Sequence, residues 1–271
     1  MKIHLLQTGV VRVKPFQLKG ASNNLSRIFQ LLFTKKWSEW LPIYCWLIEH
    51  PEGLILVDTG ETNKINEEGY LPNSKLYHKA VQTKITREDE VDFQLAKIGF
   101  KPKDIKKVIL THLHGDHVGG IYHFAHAKFI VPKKEYEFAT SPKGKKMGYM
   151  PHHWPSWFKP ELITFTDSAE GNFDASKILS DDQRIVAVPT PGHSVGHMSV
   201  IAKTENKNVI LAGDITYNEE MLRNKIPAVV IYNKESQDSV NRMLQYVDTN
   251  KGLMVSSHDT KAQSILDAAL E

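Results

Sequence analysis

The chain has 271 residues, 41% of them apolar, a formal charge of +3 from 34 basic and 31 acidic side chains, and a single cysteine, Cys45. That length allows one large core, the interspersed charge offers no single-sign face to grip nucleic acid, and one thiol excludes an internal disulfide. No apolar run approaches the roughly 18 to 20 residues that span a bilayer, and "MKIHLLQTGVVRVK" at the start lacks an uninterrupted apolar stretch with a cleavage site, so no signal peptide is read and a soluble, cytoplasmic protein is expected.

Taken along the chain, "SNNLSRIFQLLFTKKWSEW" at 22–40 places Leu25, Ile28, Phe29, Leu32 and Phe33 at helical spacing before two tryptophans. It reads as an insertion: a helix packed on the core, a lid, or a surface for a partner such as a second copy in a homodimer. "YCWLIEHPEGLILVDTG" predicts a hairpin with strands at 44–49 and 54–57 about the turn "HPEG", with Cys45 as a buried small hydrophobe. From Thr86, "TREDEVDFQLAKIGF" predicts a helix with Val91, Leu95 and Ile98 on its apolar spacing and Gly99 as its stop.

Further on, "KKVILTHLHGDH", "KFIVPKKEYEF", "RIVAVPTPGHS", "MSVIAKT", "NVILAGD" and "GLMVSSHD" are mostly β-rich, and several close on a polar cluster with His or Asp. Strands that end this way gather their loops at one edge of a sheet, where a rigid scaffold can hold a site. Residues 141–160, "SPKGKKMGYMPHHWPSWFKP", mix Pro, Gly, basic and aromatic residues without periodicity and predict a second insertion, a loop bordering a pocket. A last helix is expected over 260–270 with Ala262, Ile265 and Ala269 inward. No internal repeat or low-complexity linker divides the chain, so a single domain over 1–271 is expected.

The stretch "THLHGDHVGG" at 111–120 concentrates His112, His114, Asp116 and His117 directly after the apolar run "VIL". Histidines two apart on an extended segment project to one side, so His112 and His114 can reach one cation together, while Asp116 and His117, at the turn, can face a second. Neutral imidazoles and carboxylates suit zinc, and manganese or iron would also be acceptable. The same residue types recur downstream: His193 after the Pro-Gly turn of "TPGHSVGH", Asp214 in "LAGDITY" and His258 in "VSSHDT".

In this order, HxHxDH followed by His, Asp and His, the set resembles the metallo-β-lactamase superfamily over most of the chain. "LPIYCWLIEHPEGLILVDTG", "THLHGDHVGG", "TPGHSVGH" and the tyrosine three residues after the aspartate in "GDITY" are similar to its N-acyl homoserine lactone lactonase branch. The resemblance implies an α/β fold, a four-layer αββα sandwich with a dinuclear metal site at the edge of the two sheets. It implies two divalent metal ions per chain, zinc first, with manganese, iron or cobalt as alternatives: His112, His114 and His193 on one, Asp116, His117 and His258 on the other, and Asp214 bridging.

The resemblance further implies hydrolysis of a lactone by a metal-bridging hydroxide, with Tyr217 as oxyanion donor and Asp116 as the acid that protonates the leaving alkoxide. Asp58, in "ILVDTG", would orient a ligand or simply cap a turn. The implied partner is a small lactone or ester with an apolar tail, and Gly115, His153, Trp154 and Trp157 are the expected pocket residues. Gly115 departs from the branch, where that position is often bulky and aromatic. The alternatives are a thioester hydrolase of the glyoxalase II kind, which normally carries a further C-terminal helical domain, a phosphodiesterase or nuclease, against which the mixed charge speaks, and an inert metal-binding protein, against which the complete ligand set speaks. His123 and His126 are read as surface or packing residues, and His152, with His153, as lining the pocket beside Trp154 and Trp157 or lying on a solvated loop.

Overall fold

The computed structural model describes residues 1–20, 23–72, 74–231 and 233–270, the last two without their side chains. Its first sheet comprises β1 (Lys2–Val13), β2 (Leu41–His50), β3 (Gly53–Val57), β4 (Val81–Lys84), β5 (Ile105–Ile109), β6 (Lys128–Pro132) and β7 (Glu161–Ile163), ordered β4-β1-β2-β3-β5-β6-β7. The second comprises β8 (Lys177–Ile178), β9 (Ile185–Pro189), β10 (Met198–Lys203), β11 (Asn208–Leu211) and β12 (Gly252–Val255), ordered β12-β11-β10-β9-β8. The expected hairpin is β2 and β3, with Trp46 opposite Val57 and Glu49 opposite Leu54. β1, which the sequence pattern does not announce, pairs antiparallel along β2, and an irregularity between Gln7 and Val10 breaks its alternation.

Side chains alternate faces along a strand, and this alternation makes the layers. Trp46, Ile48, Ile55 and Val57 face the second sheet and join Ala187, Val200, Val209 and Val255 in the core between the sheets. Cys45, Leu47 and Leu56 face the other way. Three helices, α1 (Pro15–Lys19), α2 (Asn24–Phe33) and α3 (Lys75–Ala80), fall between β1 and β4 in the chain. The outer face of the first sheet is covered by α4 (Val91–Lys97) through Val91 and Leu95, by the segment around α5 (Gly115–Val118) through Leu113 and Val118, and by α6 (Lys133–Thr140) through Ala139, with α7 (Pro142–Lys146) following. The second sheet is covered by α8 (Glu219–Arg223) through Leu222 and by α9 (Lys234–Thr249) through Val240, Met243 and Val247. α10 (Ala262–Leu270) sends Ala262 and Leu266 into the core between the sheets, with Ile265 packed against it, while the side chain of Ala269 lies outside the described residues. The result is the four-layer αββα sandwich of the α/β class.

Several local expectations need correction. The segment after Thr86 is not one helix: Asp89 accepts from the Thr86 backbone to close a 3-10 turn over Arg87–Asp89, and α4 begins at Val91. Glu90 breaks the run by adopting extended geometry, ψ 152°, which turns its carboxylate inward to accept from the Asn63 N–H and the Thr62 hydroxyl. The stretch "KFIVPKKEYEF" passes from strand to helix at Pro132, and residues 141–160 contain helical turns rather than plain loop. Pro142 opens α7, Ser141 caps it by accepting from Gly144 N, and a 3-10 turn spans Pro151–His153. α2 is a surface helix that buries Arg27 and Leu31 and turns Leu25, Phe29 and Phe33 to solvent at 80%, 63% and 67% exposure. Among the described residues no helix is long and apolar enough to cross a membrane.

Candidate metal centre

The side chains singled out in the sequence all leave the C-terminal ends of strands. Asp58 follows β3, the 111–117 loop follows β5, His193 follows β9, Asp214 follows β11 and His258 follows β12. β3 and β5 are parallel, as are β11 and β12, and β9 runs the same way as β11 because both are antiparallel to β10. Their ends therefore gather at one edge of the sandwich. Backbone bonds draw the two sheets together there, Met198 N–H to Thr111 O at 3.0 Å and Tyr44 N–H to Ser257 O at 2.9 Å.

The structure brings His112, His114 and His193 into one group of closely spaced ligand atoms, and Asp116, His117 and His258 into another. Asp214 lies between them, with Oδ1 3.5 Å from His117 Nε2 and Oδ2 3.5 Å from His193 Nε2 and 3.3 Å from His258 Nε2. Asp116 places Oδ2 3.6 Å from His258 Nε2. The hydrogen bonds behind these rings decide where their protons sit. Thr111 donates its hydroxyl hydrogen to Asp58, so it can only accept from His112 Nδ1–H, at 3.1 Å. His117 Nδ1–H donates to Asp58 at 2.8 Å, His193 Nδ1–H to Ala228 O at 2.6 Å and His258 Nδ1–H to Pro42 O at 2.7 Å.

Each of these four rings is thus left with a bare Nε2 lone pair aimed at the same space. His114 Nδ1 stands 3.0 Å from the bare nitrogens of both His112 and His193, and one hydrogen cannot serve both. Lone pairs packed this closely repel unless a cation lies among them, and ligands about 2.0–2.1 Å from a tetrahedral ion are themselves about 3.3 Å apart. Among the described residues, the buried His117 Nε2 and Asp214 Oδ1 also lack a hydrogen-bond partner. Burial works against a charge on His117, yet the carboxylates of Asp214, Asp58 and Asp116 raise its imidazole well above the usual histidine range, so without a metal they favour a proton on Nε2, the positive charge that a cation there would replace. The donor set fits divalent metal.

Asp58 carries much of this arrangement. Its backbone is left-handed, φ 59°, an uncommon state for a residue other than glycine. Its buried carboxylate accepts from Thr111 N, Thr111 Oγ1 and His117 Nδ1, each at 2.8 Å. Gly119 lets the end of α5 lie against the loop that follows β3, because a Cβ there would stand 2.6 Å from the backbone of Glu61 and Thr62. Tyr217 is buried and shares a cavity wall with Asp116, Asp214 and His258, its ring 5.5 Å from that of His258. Burial, then the charge of Asp214, keeps its hydroxyl protonated far above the usual tyrosine range.

Other residues of the site escape a sequence reading. His197 accepts from the backbone N–H of Asp214, a second histidine in "TPGHSVGH" that only its proximity to His193 hinted at. Glu135, fully buried on α6, accepts from Leu113 N, Tyr149 OH, Ser194 Oγ and Gly196 N, tying the loop of His114 to the loop of His193. Nothing in its surface-like helical pattern signals this. Glu61 is 1% exposed beside Gly115, and burial, then the charge of Asp116, pushes its carboxyl up to about 8.

Of the expected pocket residues, Gly115, His153 and Trp154 line a cavity of about 150 Å³ with Tyr70, Met150 and Glu61, and Gly115 also borders the metal-ligand cavity. His153 stacks on Tyr70 with centroids 3.9 Å apart. Trp157 does not join them: the turn after Pro155 buries Phe158 instead and leaves Trp157 38% exposed against Phe129. His123 belongs to an ion-pair network with Glu90 and Asp92 that Arg87 neutralises, and His126 donates to Ile105 O.

The model of the metallo-beta-lactamase superfamily matches residues 38–258. An N-acyl homoserine lactonase of a Bacillus species is 31% identical over 229 residues, 82% of this chain and 83% of the relative. The N-acyl homoserine lactonase AttM of Agrobacterium fabrum is 26% identical over 268 residues, 97% of this chain and 94% of its own length. A solved N-acyl homoserine lactone hydrolase with the product N-hexanoyl-L-homoserine at its catalytic metal center superposes with a TM-score of 0.78 at 25% identity, covering 97% of this chain and 95% of that one. A family model spanning most of the chain, on a fold whose strand ends converge in this way, leaves one conclusion: the chain belongs to the metallo-β-lactamase superfamily.

Proposed function

We propose that this protein is a metal-dependent hydrolase that opens the ring of N-acyl homoserine lactones. His112, His114 and His193 would hold one divalent ion, Asp116, His117 and His258 a second, and Asp214 both, with zinc the ion this donor set suits first. Bound there, the ions would supply Lewis-acid polarisation of the ester carbonyl and activation of water. Tyr217, a neutral phenol lining the cavity with Asp116, Asp214 and His258, would donate its O–H to the oxygen that gains charge as the carbonyl is attacked. Asp116, at 18% side-chain exposure the more open of the two cluster carboxylates, is the group suited to take the proton that the attacking water loses and pass it to the ring oxygen as its bond to the carbonyl carbon breaks. The products are the free carboxylate and hydroxyl of the opened N-acyl homoserine.

The single observation that carries this reading is the clustering of four proton-defined imidazoles with Asp116 and Asp214, beside a cavity that Tyr217 also lines, in a chain that aligns with lactonases over nearly its whole length. The test is metal content per chain followed by turnover of N-hexanoyl-L-homoserine lactone, a thioester, a β-lactam and a phosphodiester. Two ions per chain with lactone turnover is the expected result, and turnover of the phosphodiester alone would overturn it.

The exposed apolar face of α2 is also proposed as a self-association surface, since Leu25, Phe29 and Phe33 lie in solvent beside one another. Phe29→Glu is expected to convert a dimer to a monomer in sedimentation analysis, and an unchanged mass would remove this assignment. The buried free thiol of Cys45 suits the reducing cytoplasm as its compartment.

A further inference from the structure

Glu61 sits where two cavities meet. With Gly115 it borders both the cavity of about 190 Å³ that contains Asp116, Asp214, Tyr217 and His258 and the neighbouring one lined by Leu113, Ile121, Met150 and Trp154. Its Oε1 accepts from Thr62 N at 3.0 Å. Its Oε2 has no hydrogen-bond partner among the described residues, although the residue is 1% exposed. The absence of a side chain at Gly115 brings this oxygen to the cavity: a Cβ there would lie 3.4 Å from Glu61 Oε2 and 3.3 Å from Met150 Cε. Among the described residues, Glu61 carries the one carboxyl group on the wall of the metal-ligand cavity apart from Asp116 and Asp214.

A carboxyl oxygen that opens on a cavity with no partner from the chain is left to water or to a polar group of whatever enters, and a ligand that displaces the water without pairing the oxygen loses that interaction. Away from Glu61 and the clustered histidines, aspartates and Tyr217, the wall of the metal-ligand cavity is mostly apolar, including Val11, Val13, Val81 and Met147, with Gln17, Tyr77 and Thr83 as its other polar side chains. We infer that Glu61 is a specificity-determining residue, hydrogen-bonding through Oε2 to the amide of the substrate's N-acyl substituent. This deepens the lactonase reading and rests on it. An amide matches the group in either of its forms, since a carboxylate accepts from the amide N–H and a carboxylic acid donates to the amide C=O. A plain alkyl substituent on the lactone ring offers neither partner and would cover the oxygen without pairing it, the situation that separates related substrates most strongly.

The experiment compares kcat/KM for N-hexanoyl-L-homoserine lactone and for an alkyl γ-lactone of similar length, with the metal-loaded wild type, Glu61→Gln and Glu61→Leu. The wild type is expected to prefer the amide substrate by about ten-fold or more. Glu61→Leu is expected to reduce that ratio at least about ten-fold, mainly through KM, whereas Glu61→Gln, which can still donate and accept, keeps it within about three-fold. Equal losses on both substrates, or an unchanged ratio in Glu61→Leu, overturn the assignment. The wild-type comparison decides independently of folding in any variant: lactone turnover without preference for the amide also overturns it. Turnover of neither lactone by the wild type is a different failure, that of the lactonase reading itself, and this assignment falls with it.

Discussion

His197 accepts the backbone N–H of Asp214 on its Nε2 at 3.0 Å, so its own proton resides on Nδ1, shared with Thr190 Oγ1 at 2.9 Å. The ring can serve Asp214 only while neutral. Burial, then the nearby His193, brings its pKa down to about 3. The unfolded chain, with histidines near 6.5, binds a proton that the folded chain refuses, so this contribution to stability is complete above about pH 6.5 and is lost as pH falls toward about 3, by up to about 1.4 kcal/mol per pH unit. His197→Gln keeps an acceptor without the basic ring. Urea unfolding should show it less stable by about 1 kcal/mol at pH 7 but with a shallower fall between pH 7 and pH 5 than the wild type, and parallel falls would assign the acid sensitivity elsewhere.

Asp58 is expected to govern metal affinity without touching a metal. Asp58→Asn replaces an acceptor-only group by one that must present N–H to either Thr111 or His117, which disturbs the proton on His117 Nδ1 that leaves Nε2 bare. Chelator competition should find affinity reduced about 10–100-fold, with the fold retained by circular dichroism. An affinity equal to that of the wild type would leave Asp58 as a turn residue.

Tyr217 and Asp116 separate by their readouts. Tyr217→Phe should keep full metal content and lose about 10²–10³-fold in kcat. Asp116→Asn should lose both activity and part of its metal, because Asp116 also faces His258 and His117. If Asp116→Asn retains its metal and full lactone turnover, the role of proton donor passes to another group.

Gly115 should tolerate a methyl and resist a ring. The nearest atoms to an added Cβ are the ends of the flexible Met150 and Glu61 side chains, so Gly115→Ala should change stability by no more than about 1 kcal/mol. Gly115→Phe must displace both and narrow the neighbouring cavity. Raising KM for N-decanoyl more than for N-butanoyl homoserine lactone, by about ten-fold, is the expected outcome in steady-state kinetics.

Much of the architecture is legible along the chain because its signals are local. The turn "HPEG" between two apolar runs is enough to set the β2–β3 hairpin, and the strands that end in His or Asp mark the edge where the loops converge. β1 is hidden by the irregularity near Gly9, and the helix expected after Thr86 is divided by Glu90, whose inward turn answers to Thr62 and Asn63 rather than to its neighbours in sequence. α9 is missed for another reason. "KESQDSVNRMLQYVDT" is predominantly polar, and its stripe of Val240, Met243 and Val247 has meaning only against the second sheet.

The sequence by itself determined the chemistry available at the site: imidazoles and carboxylates at a spacing that suits metal, a tyrosine three residues after Asp214, and a glycine among the clustered ligands. Only the tertiary structure decided which nitrogen of each imidazole is free, because the deciding partners lie far away in the chain, Pro42 for His258 and Ala228 for His193. It also decided that Glu61, Glu135 and His197 belong to the site. Burial and an unpaired oxygen are properties of packing, and no residue type or spacing encodes them.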